Sequence, residues 1–370
     1  AILAQIAHVF SISEEDMKMI DYLSKSLIVL LAGLMMTSCA QQSSEELVVY
    51  SGRSQALVDQ LVEDFNKQSN IDVEVRYGND AELLAVLNEE GEQSPADVYW
   101  ANTTGALAQA SQNDMLVTLP DSLTSKPDAF KSSSGKWIPI TARFRVLAYN
   151  PDTVDPEDLP ESVLDLPNRS DFEGRVGWTP TYSSFYDFTT ALRVVNGDDA
   201  AKSWLNDMQQ LNPKAYSSNP PMIQAIMAGE IDMGLTNHYY VIQTKYGGKE
   251  GYFEDHEHYG EKEPDPYANI ETYHFADGDI GNLALLTGAA QLKTAENSEA
   301  AQEFLGFLLS RQAQKYAATL VNEYPVTSGV DLPDYMMDAE KALKLSPEYD
   351  YEQLQQLEQT LSLLREVGLI

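Results

Sequence analysis

From residue 47 onward, the apolar positions of the chain fall into two alternating patterns. Short apolar runs predict buried strands, and segments with apolar residues four positions apart predict amphipathic helices. The helix predicted over 56–67, for example, carries Leu57, Leu61 and Phe65 on one face. Strands are predicted at 47–50, 71–75, 97–100, 145–149, 176–178, 231–235 and 283–286. The other predicted helices cover 81–90, 185–195, 200–211, 222–228, 298–320 and 351–367.

Strands and helices alternate along most of this region. Such alternation is typical of an α/β fold with a mostly parallel sheet and helices on its faces. In open sheets of this kind, ligands bind outside the carboxyl ends of the strands. The turns that follow the strands are therefore the places where binding residues are expected.

The segment before residue 47 has a different pattern. Lys25 precedes a short apolar run over 27–36, which ends in small residues directly before Cys39. The run is shorter than the roughly 20 apolar residues that a membrane-spanning helix needs, so it predicts a secretory signal. Small residues before a cysteine resemble the lipobox of bacterial lipoproteins, although Met36 stands where leucine is usual. A plain signal peptide with an incidental cysteine is the alternative.

This pattern predicts a signal region over residues 1–38 and a lipidated tether over 39–46. The residues before Met17 or Met19 precede a normal signal and are interpreted as a spurious extension. Cys39 is the only cysteine of the chain, so no intrachain disulfide can form.

The net charge of the chain excludes some kinds of binding partner. Against 24 Lys and Arg there are 57 Asp and Glu, which gives a net charge of −33. A chain this acidic does not favour nucleic acids or anionic lipid surfaces, so we expect membrane contact only through the lipid anchor. The 43% of hydrophobic residues is enough for a packed core.

Sequence signals of catalysis are few. The chain has no GxSxG, phosphate-binding P-loop, GxGxxG or HExxH motif, and its one cysteine lies in the signal. His256-Glu257-His258 falls in a stretch, 247–269, that is rich in Gly, Pro and charge and is predicted to be an exposed loop. We interpret that pair of histidines as part of a solvated loop, and we expect no enzyme activity.

Four residues lie directly after predicted strands or at strand–helix turns. Tyr239 and Tyr240 follow the strand that ends near Asn237, Tyr182 lies between a short strand and a helix, and Arg53 lies in the first such turn. Adjacent residues of a strand point to opposite faces, so the tyrosine pair can share one ligand only if the strand has ended at Asn237. Three phenols and one guanidinium thus occupy comparable positions in successive units.

Ordered motifs from Leu47 to about Val330 resemble the periplasmic ferric-iron-binding proteins of bacterial ABC importers. The motifs are Tyr50-Ser51-Gly52-Arg53, Ser94-Pro95-Ala96-Asp97-Val98, Arg143-Phe144-Arg145 with Tyr149-Asn150, Ala228-Gly229-Glu230 followed by the tyrosine pair, and Asn322-Glu323-Tyr324-Pro325-Val326. The resemblance implies a two-lobed α/β fold of the type II periplasmic-binding-protein class, with the ligand cleft between the lobes.

The resemblance also implies a set of ligands. Tyr182, Tyr239 and Tyr240 correspond to the ferric ligands of the tyrosine-only branch, and Arg53 corresponds to the residue that holds a synergistic carbonate. Another branch uses a histidine and a glutamate of the first lobe, where this chain has Ser54 and Asn102. Neither of these can ligate iron well, so the tyrosine-only branch is the one that this chain resembles.

The chemistry of ferric iron fits these residue types. Fe³⁺ is a hard cation that prefers anionic oxygen ligands. A free phenol has a pKa of about 10, and a trivalent ion can expel its proton. Three phenolates would neutralise the ion, and the planar fork of Arg53 suits a bidentate anion in the remaining positions.

By the same resemblance, we expect a monomer of the periplasm or cell envelope that delivers Fe³⁺ to an ABC permease and its ATPase. A solute-binding protein for another small anion or a polyamine is the main alternative. A secreted metal-dependent hydrolase and a structural or adhesive lipoprotein are the others.

The positions of the motifs predict how the chain divides between the lobes. Lobe 1 is predicted to comprise residues 47–141 and 280–315, and lobe 2 residues 142–279 and 316–370. The segments near 141–146 and 277–283 are expected to cross from one lobe to the other, because the motifs of both lobes must face one site.

Overall fold

The computed structural model describes residues 45–247 and 263–370. The predicted signal region, Cys39 and the His256-Glu257-His258 segment lie outside the described residues. Within the described ranges, no helix has both the length and the apolar character needed to cross a lipid bilayer.

The described chain is a mixed α/β structure. Its strands are β1 (Glu45–Ser51), β2 (Ile71–Tyr77), β3 (Val98–Ala101), β4 (Ile138–Tyr149), β5 (Val176–Trp178), β6 (Lys214–Ala215), β7 (Met233–Asn237), β8 (Glu271–Tyr273), β9 (Ala284–Gln291) and β10 (Tyr324–Pro325).

Helices connect most of these strands. They are α1 (Gln55–Gln68), α2 (Asp80–Glu90), α3 (Thr104–Gln112), α4 (Asp121–Thr124), α5 (Ser183–Asn196), α6 (Asp198–Gln210), α7 (Asn219–Met227), α8 (His238–Tyr246), α9 (Ser298–Leu308), α10 (Arg311–Leu320), α11 (Ala339–Leu345) and α12 (Leu357–Glu366). Short 3-10 turns include Ile280–Asn282 before β9 and Tyr351–Gln355 before α12.

The strands form one hydrogen-bonded path in the order β2-β1-β3-β9-β4-β7-β5-β6, with β8 and β10 also paired to β4. The long strand β4 belongs to both halves of this path. Its residues up to Phe144 pair with β9, and its residues from Arg145 pair with β7. The change of partner between Phe144 and Arg145 falls inside the range predicted for the first crossing segment.

The sheet is less parallel than the alternation of elements predicts. The outer pairs, β1 with β2 and β3, and β5 with β6 and β7, are parallel. The central pairs that involve β4 or β9 are antiparallel. The local pattern predicts the parallel units correctly. It does not predict that β4 and β9, which are far apart in the sequence, pair antiparallel in the middle of the sheet.

Two of the predicted helices are wrong in their extent. The helix predicted over 298–320 is two helices, because Ser310 accepts a hydrogen bond from the Ala313 amide and caps α10 as a new helix. The helix predicted over 351–367 begins as the Tyr351–Gln355 turn and becomes α-helical only at Leu357.

The position of helix α10 tests the predicted lobe boundary after residue 315. That position lies inside α10, and both Ala313 and Leu320 are buried in one cluster with Leu57 and Leu61 of α1. A helix that packs as one unit against α1 belongs to one lobe throughout. We therefore propose that lobe 1 extends past Leu320, and the other predicted boundaries stay predictions.

Candidate functional site

A cleft of about 480 Å³ opens where the ends of β1, β3, β5 and β7 face the middle of β4. Its lining brings together all four of the residues singled out for binding in the sequence. The lining residues are Gly52, Arg53, Ser54, Ala56, Asn102, Thr103, Arg143, Tyr182, Ser183, Ser184, Asp187, Asn237, Tyr239, Tyr240, Gln243, Leu285, Leu320, Val321 and Glu323.

The tyrosine pair stands at the start of a helix. The strand β7 ends at Asn237 and α8 begins at His238, as a shared site for the pair requires. The rings of Tyr239 and Tyr240 lie side by side, with centroids 4.2 Å apart. Both side chains are half-buried and line the same cleft. The end of the strand therefore frees the two phenols from pointing to opposite faces.

Tyr182 joins this pair from a different element. It is the N-cap residue of α5, and its carbonyl accepts a hydrogen bond from the Phe185 amide. Its hydroxyl lies 3.0 Å from the hydroxyl of Tyr240. That the three hydroxyls act as metal ligands stays a prediction.

The surroundings keep the tyrosine pair protonated. Burial raises the pKa of Tyr239, although the nearby charge of Arg143 acts against it. Burial also raises the pKa of Tyr240, and the neighbouring phenol groups of Tyr239 and Tyr182 raise it further. Both phenols are therefore neutral at neutral pH unless a bound cation displaces their protons.

Arg53 lies across the cleft in the turn between β1 and α1. It is buried, and one guanidinium nitrogen donates to the Glu323 carboxylate at 2.7 Å. A second nitrogen donates to the Asn102 side-chain oxygen at 2.6 Å. Burial raises the pKa of Glu323, but Arg53 and Arg143 outweigh burial and hold that pKa below its ordinary value. Glu323 is therefore an ionised partner that fixes Arg53.

Arg143 is a site residue that sequence reasoning did not single out. Its guanidinium donates to the side-chain oxygen of Asn102 at 3.2 Å and to the Asn102 carbonyl at 2.6 Å. Among the described residues, the buried Nε–H groups of Arg53 and Arg143 meet no acceptor. Two guanidiniums thus converge on one amide oxygen and keep unused donors, which suits a small anion.

The burial of the strand around Arg143 also indicates a polar site. Arg143 and Arg145 are the only charged residues of β4, whose twelve positions are all buried. Arg145 donates to Ser184, Asn237 and the Leu235 carbonyl, and burial lowers its pKa to about 10. Charges in a buried strand require partners, so two arginines there indicate a polar site.

A carboxylate completes the charges of the cleft. Asp187, on α5, is half-buried, and burial raises its pKa to about 6, although Arg143 acts against this. A second half-buried carboxylate, Asp80, accepts from the Asn102 backbone amide at 3.0 Å and from the Thr103 hydroxyl. A Cβ at position 52 would collide with the Asp80 carboxylate unless that side chain moved, so glycine fits this turn without disturbing Asp80. Asp80 therefore fixes the turn that carries Asn102.

The cleft offers three tyrosine hydroxyls as oxygen donors, beside the carboxylates of Asp187 and Glu323. In residues 45–247 and 263–370, no group of three or more His, Cys, Asp and Glu side chains could hold a metal ion. The tyrosine hydroxyls are hard oxygen donors once ionised, and they suit a hard trivalent cation better than a soft one. The arginines opposite them suit an anion that binds together with the cation.

Comparison with known proteins places the chain in a family of binding proteins. A family profile described as bacterial extracellular solute-binding protein matches residues 60–344. The chain is similar to the Fe(3+)-binding periplasmic protein of Serratia marcescens, at 30% identity over 296 residues, 79% of this chain and 82% of that protein. It is also similar to the major ferric iron-binding protein of Neisseria meningitidis serogroup B, at 28% identity over 301 residues, 79% of this chain and 84% of that protein.

The fold has a matching solved structure. Iron-bound HitA from Pseudomonas aeruginosa superposes with a TM-score of 0.73 at 30% sequence identity. The match covers 88% of this chain and 99% of that chain. This structural match agrees with the two-lobed α/β fold that was predicted from the sequence.

Proposed function

The chain belongs to the bacterial extracellular solute-binding proteins, and we propose that it captures ferric iron in the tyrosine-lined cleft for import into the cell. The observation that carries the proposal is the meeting of the Tyr182 and Tyr240 hydroxyls at 3.0 Å, with Tyr239 beside them. Three phenolates supply three negative charges to a trivalent ion. The relatives from Serratia and Neisseria are named as iron-binding proteins, which supports the same cargo here.

We propose that a small anion, carbonate being the first choice, binds together with the iron. The support is the convergence of Arg53 and Arg143 on the Asn102 oxygen, and the buried Nε–H of each arginine, which has no acceptor in the described part of the chain. A planar anion with oxygens in one plane can accept two parallel N–H bonds from a guanidinium. The same anion would complete the coordination of iron held by three phenolates.

The delivery route is proposed from the family and the sequence. An extracellular solute-binding protein serves an ABC permease and its ATPase, and we propose that role for this chain as a monomer. We also propose that Cys39 carries a lipid anchor in the cell envelope. Intact-mass measurement of membrane-extracted protein tests the anchor, since acylation adds mass that a Cys39→Ser variant lacks.

The first test is the visible spectrum of the purified protein with iron. Adding ferric nitrilotriacetate in the presence of bicarbonate is expected to produce a red-orange band, because phenolate ligands transfer charge to Fe³⁺. Ga³⁺, which has the same charge and no such transition, is expected to bind without the band. A colourless protein that retains no iron after gel filtration would contradict the proposal.

Iron binding is expected to release protons and to weaken as pH falls. Burial raises the pKa of Tyr239 and Tyr240, so both phenols are neutral before iron binds and must lose their protons to ligate it. Each proton released makes affinity fall about tenfold per pH unit. Potentiometric measurement at pH 7 should find one proton fewer released by a Tyr240→Phe variant. Equal release by both proteins would show that Tyr240 is not a phenolate ligand.

A solute-binding protein for another small anion is the second candidate. The two arginines that face the cleft favour it, because they can bind an anion whether or not iron is present. The same arginines disfavour the polyamine alternative through like-charge repulsion. Calorimetry with bicarbonate or phosphate, with and without Ga³⁺, distinguishes the two: an iron carrier binds the anion tightly only with the metal.

A further inference from the structure

His238 is a buried residue that lies directly before the tyrosine pair but does not line the cleft. Its ring packs among Phe144, Tyr239 and Tyr324, with centroids 6.2, 6.0 and 5.0 Å away. These neighbours belong to three different segments: β4, α8 and β10. Both ring nitrogens form hydrogen bonds to the backbone, one with Phe144 of β4 and the other with Asn322, which lies just before β10.

The two bonds fix the tautomer of His238. The Phe144 amide donates to Nδ1 at 3.1 Å, so Nδ1 must be the acceptor and carry no hydrogen. The other nitrogen, Nε2, lies 2.7 Å from the carbonyl oxygen of Asn322, so Nε2 carries the hydrogen and donates. A neutral ring with this one tautomer satisfies both partners, and an imidazolium would place two N–H groups against each other at Nδ1.

Each bond ends at a position that matters for the cleft. Phe144 is the last residue of β4 paired with β9, and the next residue pairs with β7. Asn322 has a left-handed backbone, with φ of 56°, and is followed directly by Glu323. Glu323 in turn holds Arg53 on the opposite side of the cleft. His238 therefore connects the tyrosine pair both to the crossing strand and to the segment that carries the arginine partner.

We propose that His238 is a positioning residue that keeps the tyrosine pair in register with the Arg53–Glu323 pair across the cleft. The inference rests on the proposed function of this cleft as a ferric site with a co-bound anion. In this arrangement, the two hydrogen bonds of His238 hold the start of α8 at a fixed position relative to the Asn322–Glu323 segment. The phenols and the anion-holding guanidinium are thereby kept opposite each other at one point of the cleft.

A matched pair of variants separates the two bonds. In His238→Asn, the side-chain oxygen takes the place of Nδ1 and can still accept from Phe144, but the bond to Asn322 is lost. In His238→Gln, the terminal amide nitrogen takes the place of Nε2 and can still donate to Asn322, but the bond from Phe144 is lost. His274→Asn is the control, because His274 is a partly buried histidine that does not line the cleft.

The two variants are expected to fail differently. His238→Asn should keep the position of the visible band but lose the gain in iron affinity that bicarbonate gives, by about tenfold, the size of one lost hydrogen bond. His238→Gln should shift the band, because Tyr239 is no longer held to β4, while it retains the effect of bicarbonate. If both variants match His274→Asn in band and bicarbonate dependence, and differ only in melting temperature, His238 is a packing residue and the proposal fails.

The wild-type protein provides a second measurement that does not depend on a variant folding. Nitrogen-15 NMR of labelled histidine is expected to report the Nε2–H tautomer of His238 both before and after Ga³⁺ is added with bicarbonate. A change of tautomer when Ga³⁺ binds would mean that one of the two hydrogen bonds of His238 breaks, and it would overturn the proposal. If the wild-type protein binds neither Fe³⁺ nor Ga³⁺, the proposed function itself fails, a result distinct from either of these.

Discussion

Replacing Tyr239 or Tyr240 by phenylalanine is expected to abolish the visible iron band or to shift it strongly. Each change deletes one oxygen and keeps the ring, so it removes one anionic ligand and one unit of charge neutralisation. Substitution of groups that only support metal ligands costs about 10–100-fold in metal affinity. Loss of a ligand itself should therefore weaken iron binding by more than about 100-fold, measured by competition with nitrilotriacetate.

The fold of these variants should be nearly unchanged. Tyr240→Phe removes the 3.0 Å hydrogen bond between the Tyr240 and Tyr182 hydroxyls. It also removes the cost of burying the Tyr240 hydroxyl, which offsets part of that loss. The net change in the free energy of unfolding is then within about 1 kcal/mol. Tyr186→Phe is the matched control, since Tyr186 is a half-buried tyrosine on α5 that does not line the cleft that contains the tyrosine pair. Normal iron binding by both pair variants would assign the two rings a packing role and exclude the phenolate site.

The elements that place the tyrosines could be predicted from the sequence because their signals are local. The apolar run before Asn237 predicts a strand over 231–235, and the observed strand β7 lies two positions later, over Met233–Asn237. The short strand β5 was predicted with its correct bounds. A strand end and a following helix are decided by neighbours within a few positions, so their positions, and those of Tyr182 and Tyr239, follow from the sequence.

The other side of the cleft depends on contacts between distant residues. Thr141 in β4 and Arg53 after β1 both donate to the carboxylate of Glu323, which lies 270 positions after Arg53. No periodicity in the chain relates such positions. The sequence therefore indicates Arg53 by its place after a strand, but it does not indicate that Arg53 is paired with Glu323.

The pairing of Arg53 changes what its substitution should do. Arg53→Ala removes no metal ligand, so the iron band should persist while affinity falls and depends less on bicarbonate. The same change leaves the buried carboxylate of Glu323 without its 2.7 Å partner. Breaking a buried ion pair by removing one member costs about 3–5 kcal/mol, so the variant should also lose that much stability in urea denaturation. Unchanged stability would mean that Glu323 is neutral or solvated in the folded protein.

The stability loss should depend on pH in a way that identifies Glu323 as its source. In the wild-type protein the pKa of Glu323 is lowered because Arg53 and Arg143 outweigh burial, so this group stabilises the fold at neutral pH and loses that effect as pH falls through its folded pKa. Without Arg53, burial pushes that pKa upward. At acid pH, protonation of Glu323 then removes the unpaired buried charge from the variant. The difference in the free energy of unfolding between wild type and Arg53→Ala should therefore become smaller from pH 7 to pH 5.

A second substitution separates the anion from the stability effect. Glu323→Gln in the Arg53→Ala background removes the buried charge but keeps an oxygen that can accept from the Thr141 hydroxyl. The double variant should recover much of the lost stability at pH 7, because no unpaired carboxylate remains. Its response to bicarbonate should stay as weak as that of Arg53→Ala, since the guanidinium is still absent. If the second change restored the bicarbonate response together with stability, Arg53 would act through the fold alone, and the anion would have to be assigned to Arg143.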